Sequence, residues 1–155
     1  MRVLLQRTRW AAVKAADQSK VEIGPGVMGL VGFATEDEHL PGTRTWNVMV
    51  DKILRLRIFP DDKGLMNLSL MDVNGELLLV PQFTLYADCS KGRRPGFSGS
   101  APGNVAERLF DRFAEKVLQN WTRVSFGYFG AEMDVELCNW GPVTIMLDSS
   151  DYLQK

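Results

Sequence analysis

Three segments of the chain carry polar or turn-forming residues where folding alone does not require them. Gln82 and Thr84 interrupt an apolar stretch directly after Pro81. Segment 91–94 (Lys-Gly-Arg-Arg) places cations close together in a long polar loop, and Gly141–Pro142 separates two apolar segments. The plain interpretations are an edge strand, a solvated turn and a tight turn. The chemical alternatives are side chains that orient a substrate and cations that contact phosphate groups, a frequent role of Arg and Lys.

A conventional nucleophilic or metal-dependent site is not indicated. The single histidine, His39, follows three acidic residues, which favours a solvated loop residue over a catalytic base. Segment 96–99 (Gly-Phe-Ser-Gly) lacks the spacing of the nucleophile-elbow motif. Cys89 and Cys138 are far apart and form no C-x-x-C pair. We therefore expect two reduced thiols, no bound metal and no cofactor.

The elements that must position these residues are mostly short strands. Apolar residues between turn signals predict strands over 2–7, 10–15, 21–23, 27–33, 56–59, 65–70, 76–80, 133–138 and 143–147. Asn74-Gly75 predicts a hairpin between the strands over 65–70 and 76–80. Segment 139–142 is predicted to be a turn that joins the last two strands.

Two helices are predicted from apolar residues at helical spacing. The first follows Thr45, the expected N-cap, and the second runs from Asn104 to about Gln119 with Asn104 and Glu107 as a capping box. Strand hairpins then outnumber βαβ units. We therefore expect an α/β fold of curved, largely antiparallel β-sheets in barrel-like layers, covered by two main helices, in a single domain over residues 1–155.

The composition agrees with one globular core. The 155 residues are 45% hydrophobic and 24% charged, as in ordinary globular domains. A formal net charge of -1 gives no overall positive field, so any RNA contact has to come from a local patch. The chain start lacks the apolar segment of a signal peptide, and no apolar run approaches the roughly 20 residues that span a bilayer. We expect a cytoplasmic protein with no membrane contact.

The order and spacing of these segments resemble the D-aminoacyl-tRNA deacylase family. Segment 81–88 (Pro-Gln-Phe-Thr-Leu-Tyr-Ala-Asp) is similar to the family's Ser-Gln-x-Thr-Leu motif. Segment 139–144 (Asn-Trp-Gly-Pro-Val-Thr) is similar to its Asn-x-Gly-Pro-Val-Thr motif. Shorter similarities lie at 6–7, 67–70, 91–95, 101–102 and 129–131. The resemblance extends from Met1 to about Ser149, nearly the whole chain.

The resemblance implies a hydrolase that cleaves the ester between a D-amino acid and the 3′-terminal adenosine of tRNA, a chirality-proofreading step in translation. It implies a homodimer in which Gly141 and Pro142 of one subunit, joined by a cis peptide, reach the other subunit's pocket. Their carbonyl groups exclude an L side chain by steric collision and admit D-amino acids and glycine. The 2′-hydroxyl of the terminal adenosine is implied to assist the attack, which accounts for the missing nucleophile.

The resemblance also implies roles for individual residues. Gln82 and Thr84 are expected to orient the ester, and the backbone amide of Phe83 is expected to stabilise the oxyanion. Arg7 is expected to hold the Gly141–Pro142 segment in place. The residues expected to line the adenine and substrate pocket are Pro81, Ala101, Phe129 and Met133, and those expected to contact tRNA are Lys91, Arg93 and Arg94.

Pro81 departs from the family pattern, because typical members have serine at this position. A proline also occurs there in a related animal-type deacylase, whose Gly-Pro peptide is trans and which removes L-alanine from mischarged tRNA. Phe83, Tyr86 and Asp88, together with Arg7, resemble the D-specific branch, which we therefore expect. The alternatives are a relaxed relative that also removes small L-amino acids and an RNA- or nucleotide-binding module without turnover.

Overall fold

The computed structural model describes residues 1–153; the last two residues of the expected domain lie outside this range. The strands are β1 (Arg2–Ala15), β2 (Val21–Ile23), β3 (Gly26–Gly32), β4 (Phe59–Pro60), β5 (Met66–Leu68), β6 (Glu76–Pro81), β7 (Val124–Phe126) and β8 (Met133–Asp148). The α-helices are α1 (Arg44–Arg55) and α2 (Gly103–Leu118), and short 3-10 helices span Thr35–His39, Phe83–Tyr86 and Ser149–Tyr152. None of the helices within residues 1–153 is long and apolar enough to cross a membrane.

β1 is the central strand of a mixed six-stranded sheet. It pairs antiparallel with β3 along residues 2–8, with β2 along residues 11–13 and with β8 along nearly its whole length. β6 continues the sheet beyond β3 and pairs parallel with both β3 and β7. The α/β class, the barrel-like sheet and the two helices are therefore confirmed. The sheet is largely antiparallel as expected, and the parallel pairs β3–β6 and β6–β7 make it mixed.

The main core lies between the sheet and the two helices. Phe33 after β3, Trp46 of α1 and Phe113 of α2 pack together, with ring centroids 5.0 to 6.4 Å apart. All three rings are almost fully buried, and such aromatic contacts add to the free energy gained from burial alone. This cluster holds α2 against the sheet, and the start of α2 forms one wall of the candidate site.

β1 and β8 are each one long strand where the sequence indicated two. The strands predicted over 2–7 and 10–15 merge because both halves pair with the same neighbour, β8. The strands predicted over 133–138 and 143–147 merge because both pair with β1. The turn predicted at 139–142 is therefore wrong, and the chain continues in the same direction through it.

The register between β1 and β8 shifts in the middle of the pair. The backbone pairs on either side of Arg7 leave residues 140–143 opposite this single residue. Extra residues in one strand of an antiparallel pair form a β-bulge, which bends the strand and directs side chains or carbonyls away from the ladder. The Gly-Pro motif thus lies in a bulge of a continuous strand.

The hairpin predicted at Asn74-Gly75 is wrong. β5 pairs with β4 in a separate two-stranded sheet, whereas β6 pairs parallel with β3 and β7. Residues 77–80 of β6 are all buried, which is the pattern of a parallel central strand and not of a hairpin arm with one wet face. Asn74 has a φ of 49°, so the chain does turn here, but the strands on either side, β5 and β6, do not pair with each other. No sequence pattern predicts β7.

Both helices lie close to their predicted positions, but their N-termini differ. Thr43 caps α1, because its hydroxyl oxygen accepts a hydrogen bond from the amide of Trp46 at 3.2 Å. The predicted cap, Thr45, lies inside the helix. α2 begins without a side-chain cap, because its N-cap residue is Pro102, whose ring carries no hydrogen-bond acceptor. The capping box predicted at Asn104 and Glu107 is therefore wrong.

Gly26 begins β3 directly against the backbone of β6. A Cβ atom at this position would lie 1.8 Å from the carbonyl oxygen of Glu76, so the two strands would have to separate. We expect Gly26→Ala to lower the free energy of unfolding by about 3 kcal/mol, the upper range for overpacking. Gly103→Ala is the matched control, because a Cβ there meets nothing within 4 Å. Urea unfolding compares the two variants, and equal midpoints would contradict the expectation.

Candidate active site

A cavity of about 600 Å³ opens between the ends of β3 and β6, the start of α2 and the segment before β8. Its volume is in the usual range for small-molecule sites. The walls are mainly apolar, with a few polar groups, as is typical of sites that bind organic ligands. The expected site residues that line it are Pro81, Gln82, Phe83, Ala101, Phe129 and Met133.

The polar residues after Pro81 lie past the end of the sheet. The amide of Gln82 donates to the carbonyl of Val31 at 2.7 Å, and a 3-10 turn then carries Phe83 and Thr84. The interpretation of an edge strand facing water is therefore wrong. The side-chain amide of Gln82 donates to the hydroxyl of Thr84 at 2.5 Å. Thr84 itself is exposed beside the cavity and does not line it.

Buried and charged groups anchor this 3-10 turn. Arg2 donates to the carbonyl of Leu85 at 2.9 Å, and its guanidinium carbon lies 4.6 Å from the ring centroid of Tyr86. The Tyr86 hydroxyl donates to Asp37 at 3.4 Å. Burial, and then the charge of Asp37, raise the pKa of Tyr86, which keeps this donor protonated. Asp37 also accepts from the Met1 amino group at 2.7 Å, so the turn rests on fixed contacts.

The remaining walls come from the start of α2 and the segment before β8. The amide of Ala101 donates to a backbone carbonyl after β3 at 2.9 Å, which holds Ala101 at the cavity. The ring of Phe129 packs on Phe110 of α2, with centroids 6.4 Å apart. The sulfur of Met133 accepts from the amide of Tyr128 at 3.3 Å. All three pocket residues are therefore held in place by their neighbours.

Sequence reasoning missed two polar side chains at this cavity, Tyr128 and Glu132. The Tyr128 hydroxyl donates to the carbonyl of Ser19 at 2.7 Å, which ties the pocket wall to the turn between β1 and β2. Glu132 is exposed and brings a carboxylate to the lining. Both flank segment 129–131, one of the short similarities to the deacylase family. This proximity is the only feature of the sequence that could have indicated them.

Gly141 and Pro142 do not line this cavity. They lie in the bulge of β8, and both are exposed. The peptide bond between them is cis, the isomer expected from the sequence. Gly141 has a φ of 143°, which favours glycine, and a Cβ there would lie 2.9 Å from a guanidinium nitrogen of Arg7. The chain therefore presents this segment on its surface, away from its own cavity.

Arg7 lies beside this bulge and contacts it through its planar guanidinium group. Its Nε donates to the carbonyl of Trp140 at 2.7 Å, and a terminal nitrogen donates to the carbonyl of Ile58. Arg7 is only 7% exposed, and no carboxylate pairs with it in the described part of the chain. Burial, followed by the neighbouring charge of Arg9, lowers the pKa of Arg7. An arginine remains protonated in such a setting.

Residues 4–148 match the family model for D-Tyr-tRNA(Tyr) deacylase. The chain belongs to this family. A D-aminoacyl-tRNA deacylase of Nitratidesulfovibrio vulgaris (strain DP4) is 48% identical over 153 residues, which cover 97% of this chain and 94% of that protein. One of Listeria monocytogenes serotype 4a (strain HCC23) is 48% identical over 155 residues and 100% of both chains. A solved c-Myc DNA unwinding element binding protein is 36% identical, with a TM-score of 0.86 over 96% of this chain and 98% of that chain.

In this D-Tyr-tRNA(Tyr) deacylase family member, an exposed loop beside the site carries the cations expected to contact tRNA, Lys91, Arg93 and Arg94. Asp88 and Gly96 pair antiparallel at the base of this loop. Phe97 then packs edge to face on Phe83, with ring centroids 5.0 Å apart. The Ser100 hydroxyl donates to the carbonyl of Phe83 at 2.9 Å. The loop is therefore joined directly to the candidate site.

Three further reactive side chains of this deacylase-family chain do not line the cavity. His39, Cys89 and Cys138 are all exposed, and both thiols are free. His39 is solvated, as interpreted, but it is the last residue of the 3-10 helix Thr35–His39 and does not lie in a loop. Within residues 1–153, no group of three His, Cys, Asp or Glu side chains is arranged to hold a metal ion.

We expect Arg7→Lys to lower the free energy of unfolding by about 1–3 kcal/mol, because a lysine ammonium cannot hold both carbonyl groups with the fixed fork of arginine. Arg57→Lys is the matched control, since Arg57 is exposed and its Nε donates to one carbonyl, that of Asn67. Urea unfolding of both variants measures the difference. Equal losses in the two variants would mean that the fork at Arg7 contributes no special stability.

Proposed function

We propose that this family member hydrolyses the ester bond between a D-amino acid and the 3′-terminal adenosine of tRNA. Water adds to the ester carbonyl, the bond to the ribose oxygen breaks, and that oxygen takes up a proton. One observation carries the proposal: residues from separate segments converge on one cavity, namely Gln82, Phe83, Ala101, Phe129 and Met133. The similarity to D-aminoacyl-tRNA deacylases supports the same activity.

The cavity suits a terminal adenosine with an attached amino acid. Phe129 and Tyr128 bring aromatic rings to the lining, and Ala101 is small enough to leave room for a flat base. Stacking of a base on an aromatic ring contributes about 1–3 kcal/mol. We assign Met133 to the same wall, because an unbranched thioether adapts to irregular shapes. These residues give the adenosine a mainly apolar binding surface.

Gln82, Phe83 and Thr84 are the residues that we assign to the ester. The side chains of Gln82 and Thr84 orient the ester carbonyl, and the amide of Phe83 donates to the oxyanion that develops during attack. The 2′-hydroxyl of the terminal adenosine assists the attack, so no protein nucleophile is required. Pro81 is consistent with this scheme, because it has neither a hydroxyl nor an amide hydrogen and cannot act as the serine of typical members.

Gly141 and Pro142 are the residues that we assign to chiral selection, acting in the site of the other subunit. Their position supports this assignment, because both are exposed on β8 and neither lines the cavity of its own chain. Two fixed carbonyl groups near the Cα of the bound amino acid collide with an L side chain and leave a D side chain or glycine free. Arg7 keeps them in place through the carbonyl of Trp140. A second copy then completes each site.

The exposed loop beside the cavity is the part that we assign to the tRNA backbone. Its cations are Lys91, Arg93 and Arg94, and the net charge of -1 makes such a local patch necessary. Contacts of this kind weaken steeply as salt rises, because they depend on release of counterions. We also propose that residues 1–155 form a single deacylase domain that acts in the cytoplasm.

Pro81 favours one second candidate function, a relaxed deacylase that also removes small L-amino acids such as L-alanine. It lines the cavity next to Gln82, where a change from serine alters both shape and hydrogen bonding. The proline-containing relative of this family acts on L-alanine. The two candidates differ only in the substrates that they accept.

The deciding experiment is deacylation by the purified protein of D-Tyr-tRNA, L-Tyr-tRNA, Gly-tRNA and L-Ala-tRNA. We expect release of D-tyrosine and retention of L-tyrosine. Hydrolysis of L-Ala-tRNA as fast as D-Tyr-tRNA supports the relaxed enzyme. Binding of tRNA without turnover of any substrate refutes both and favours a binding module.

Deacylation of D-Tyr-tRNA in the presence of EDTA should be as fast as in buffer alone, because one histidine and two separated cysteines are a poor zinc ligand set.

Thr84→Ala should lower deacylation of D-Tyr-tRNA by about 10²–10³-fold, the usual effect of removing one well-placed catalytic hydrogen bond. Thr84 is exposed, so the variant should keep its fold. Thr122→Ala is the matched control, because Thr122 is also an exposed threonine but, unlike Thr84, is not hydrogen-bonded to the cavity residue Gln82. Circular dichroism accompanies the kinetic assay. Wild-type turnover by folded Thr84→Ala protein would remove Thr84 from the proposed mechanism.

We expect a homodimer in solution, because each cavity lacks a Gly-Pro segment that a second copy would supply. β8 also exposes apolar side chains, with Val135 39% and Met146 50% exposed. A second copy packed along β8 would remove these side chains from water. Light scattering at micromolar concentration should report about twice the chain mass of 17.4 kDa. A stable monomer with full deacylase activity would contradict the shared site.

A further inference from the structure

We infer that Trp140 is a positioning residue for chiral selection, because its ring and its carbonyl together hold Arg7 beside Gly141 and Pro142. The inference rests on the proposed function. It adds a residue that the family motif leaves open, since residue 140 occupies the variable position of Asn-x-Gly-Pro-Val-Thr. In this chain that position carries the largest side chain available.

Two guanidinium groups meet the indole ring of Trp140. The guanidinium carbon of Arg7 lies 4.7 Å from the ring centroid, and that of Arg9 lies 3.7 Å from it. Both are within the roughly 6 Å at which the ring quadrupole attracts a cation. Two like charges so close to one another repel. The ring therefore supplies attraction that keeps both arginines in one place.

Arg7 depends on this ring more than an exposed arginine would. It is 7% exposed, and no acidic side chain pairs with it anywhere in residues 1–153. Its guanidinium group donates hydrogen bonds to the carbonyls of Trp140 and Ile58 and makes a cation–π contact with the indole of Trp140. Trp140 thus provides two of these three contacts, one from the backbone and one from the side chain.

Phe59 fixes the indole from the core. Its ring is 1% exposed and meets the Trp140 ring edge to face, with centroids 6.1 Å apart and an interplanar angle of 69°. Phe59 directly follows Ile58, whose carbonyl accepts from Arg7. A continuous set of contacts therefore runs from the buried Phe59 through Trp140 and Arg7 to the bulge that holds Gly141.

Loss of the indole should therefore affect chirality more than binding. Arg9 would lose its partner, and Arg7 would be freer to turn and release the Trp140 carbonyl. The carbonyl groups of Gly141 and Pro142 follow directly in the chain and would move more widely. Steric exclusion of an L side chain requires fixed carbonyl groups. The cavity that binds the adenosine is lined by other residues and should be unaffected.

The experiment compares kcat/KM for D-Tyr-tRNA and L-Ala-tRNA in variants of the full chain. L-alanine carries the smallest L side chain, so its hydrolysis is most sensitive to loosened carbonyls. Trp140→Ala should lower the D-to-L ratio by about tenfold, whereas Trp140→Phe should stay within about threefold of wild type because a phenyl ring keeps a weaker cation–π contact. Trp10→Ala is the matched control, since Trp10 is 40% exposed and should leave the ratio unchanged.

A second readout follows the Nε–H of Arg7 by nitrogen-15 NMR and does not depend on activity. Its hydrogen bond to the Trp140 carbonyl should protect it from exchange in the wild type, and Trp140→Ala should remove the protection. An unchanged D-to-L ratio with unchanged Arg7 protection overturns the inference. If Trp140→Ala fails to fold, Trp140→Leu takes its place, because leucine fills part of the space but offers no ring face to a cation, with Trp10→Leu as its control; a lower ratio supports the inference and an equal ratio overturns it.

Failure of the proposed function gives a different result. A wild-type protein that hydrolyses neither D-Tyr-tRNA nor L-Ala-tRNA refutes the deacylase activity, and the kinetic ratio is then undefined. The Arg7 signal still reports on the contact in that case. Loss of protection in Trp140→Ala but not in Trp10→Ala supports the positioning role of Trp140 toward the bulge, and equal protection in both variants overturns it.

Discussion

The antiparallel pairing of β1 with β8 is the interaction on which the rest of the structure depends. Both halves of β8 are hydrogen-bonded to the same strand, so residues 140–143 have no partner except Arg7 and form a bulge. The opposite edge of β1 pairs with β3, whose end forms part of the cavity. One strand therefore fixes the relation between the surface that presents Gly141–Pro142 and the pocket that is proposed to bind the substrate.

The cavity itself follows from the parallel pairing of β3 with β6. Ligands in sheets with parallel strands bind beyond the carboxyl ends of those strands, where the following segments diverge. Val31 to Phe33 and Val80 to Phe83 are the residues at these two ends, and both segments line the cavity. Gln82 and Thr84 are therefore near the pocket because the chain leaves β6 there and turns.

Within residues 1–153, the buried guanidinium of Arg7 has neutral partners and no acidic one. Carbonyl groups and an aromatic ring are directional partners, so they fix the guanidinium orientation as well as its charge. A carboxylate would supply stronger attraction but would place a second charge beside the exposed Gly-Pro segment. Neutral partners for Arg7 keep that segment free of fixed negative charge.

The sequence by itself determined the strongly patterned elements, including β3, β6 and both helices, because apolar periodicity and turn chemistry act over a few neighbouring residues. It also determined family membership through the motifs around Gln82 and Gly141. Tertiary structure alone decided that Asn74-Gly75 joins no hairpin, that Tyr128 lines the pocket and that β8 runs on through Pro142. Each of these depends on hydrogen bonds and packing with residues far away in the chain, whose energies no local pattern contains.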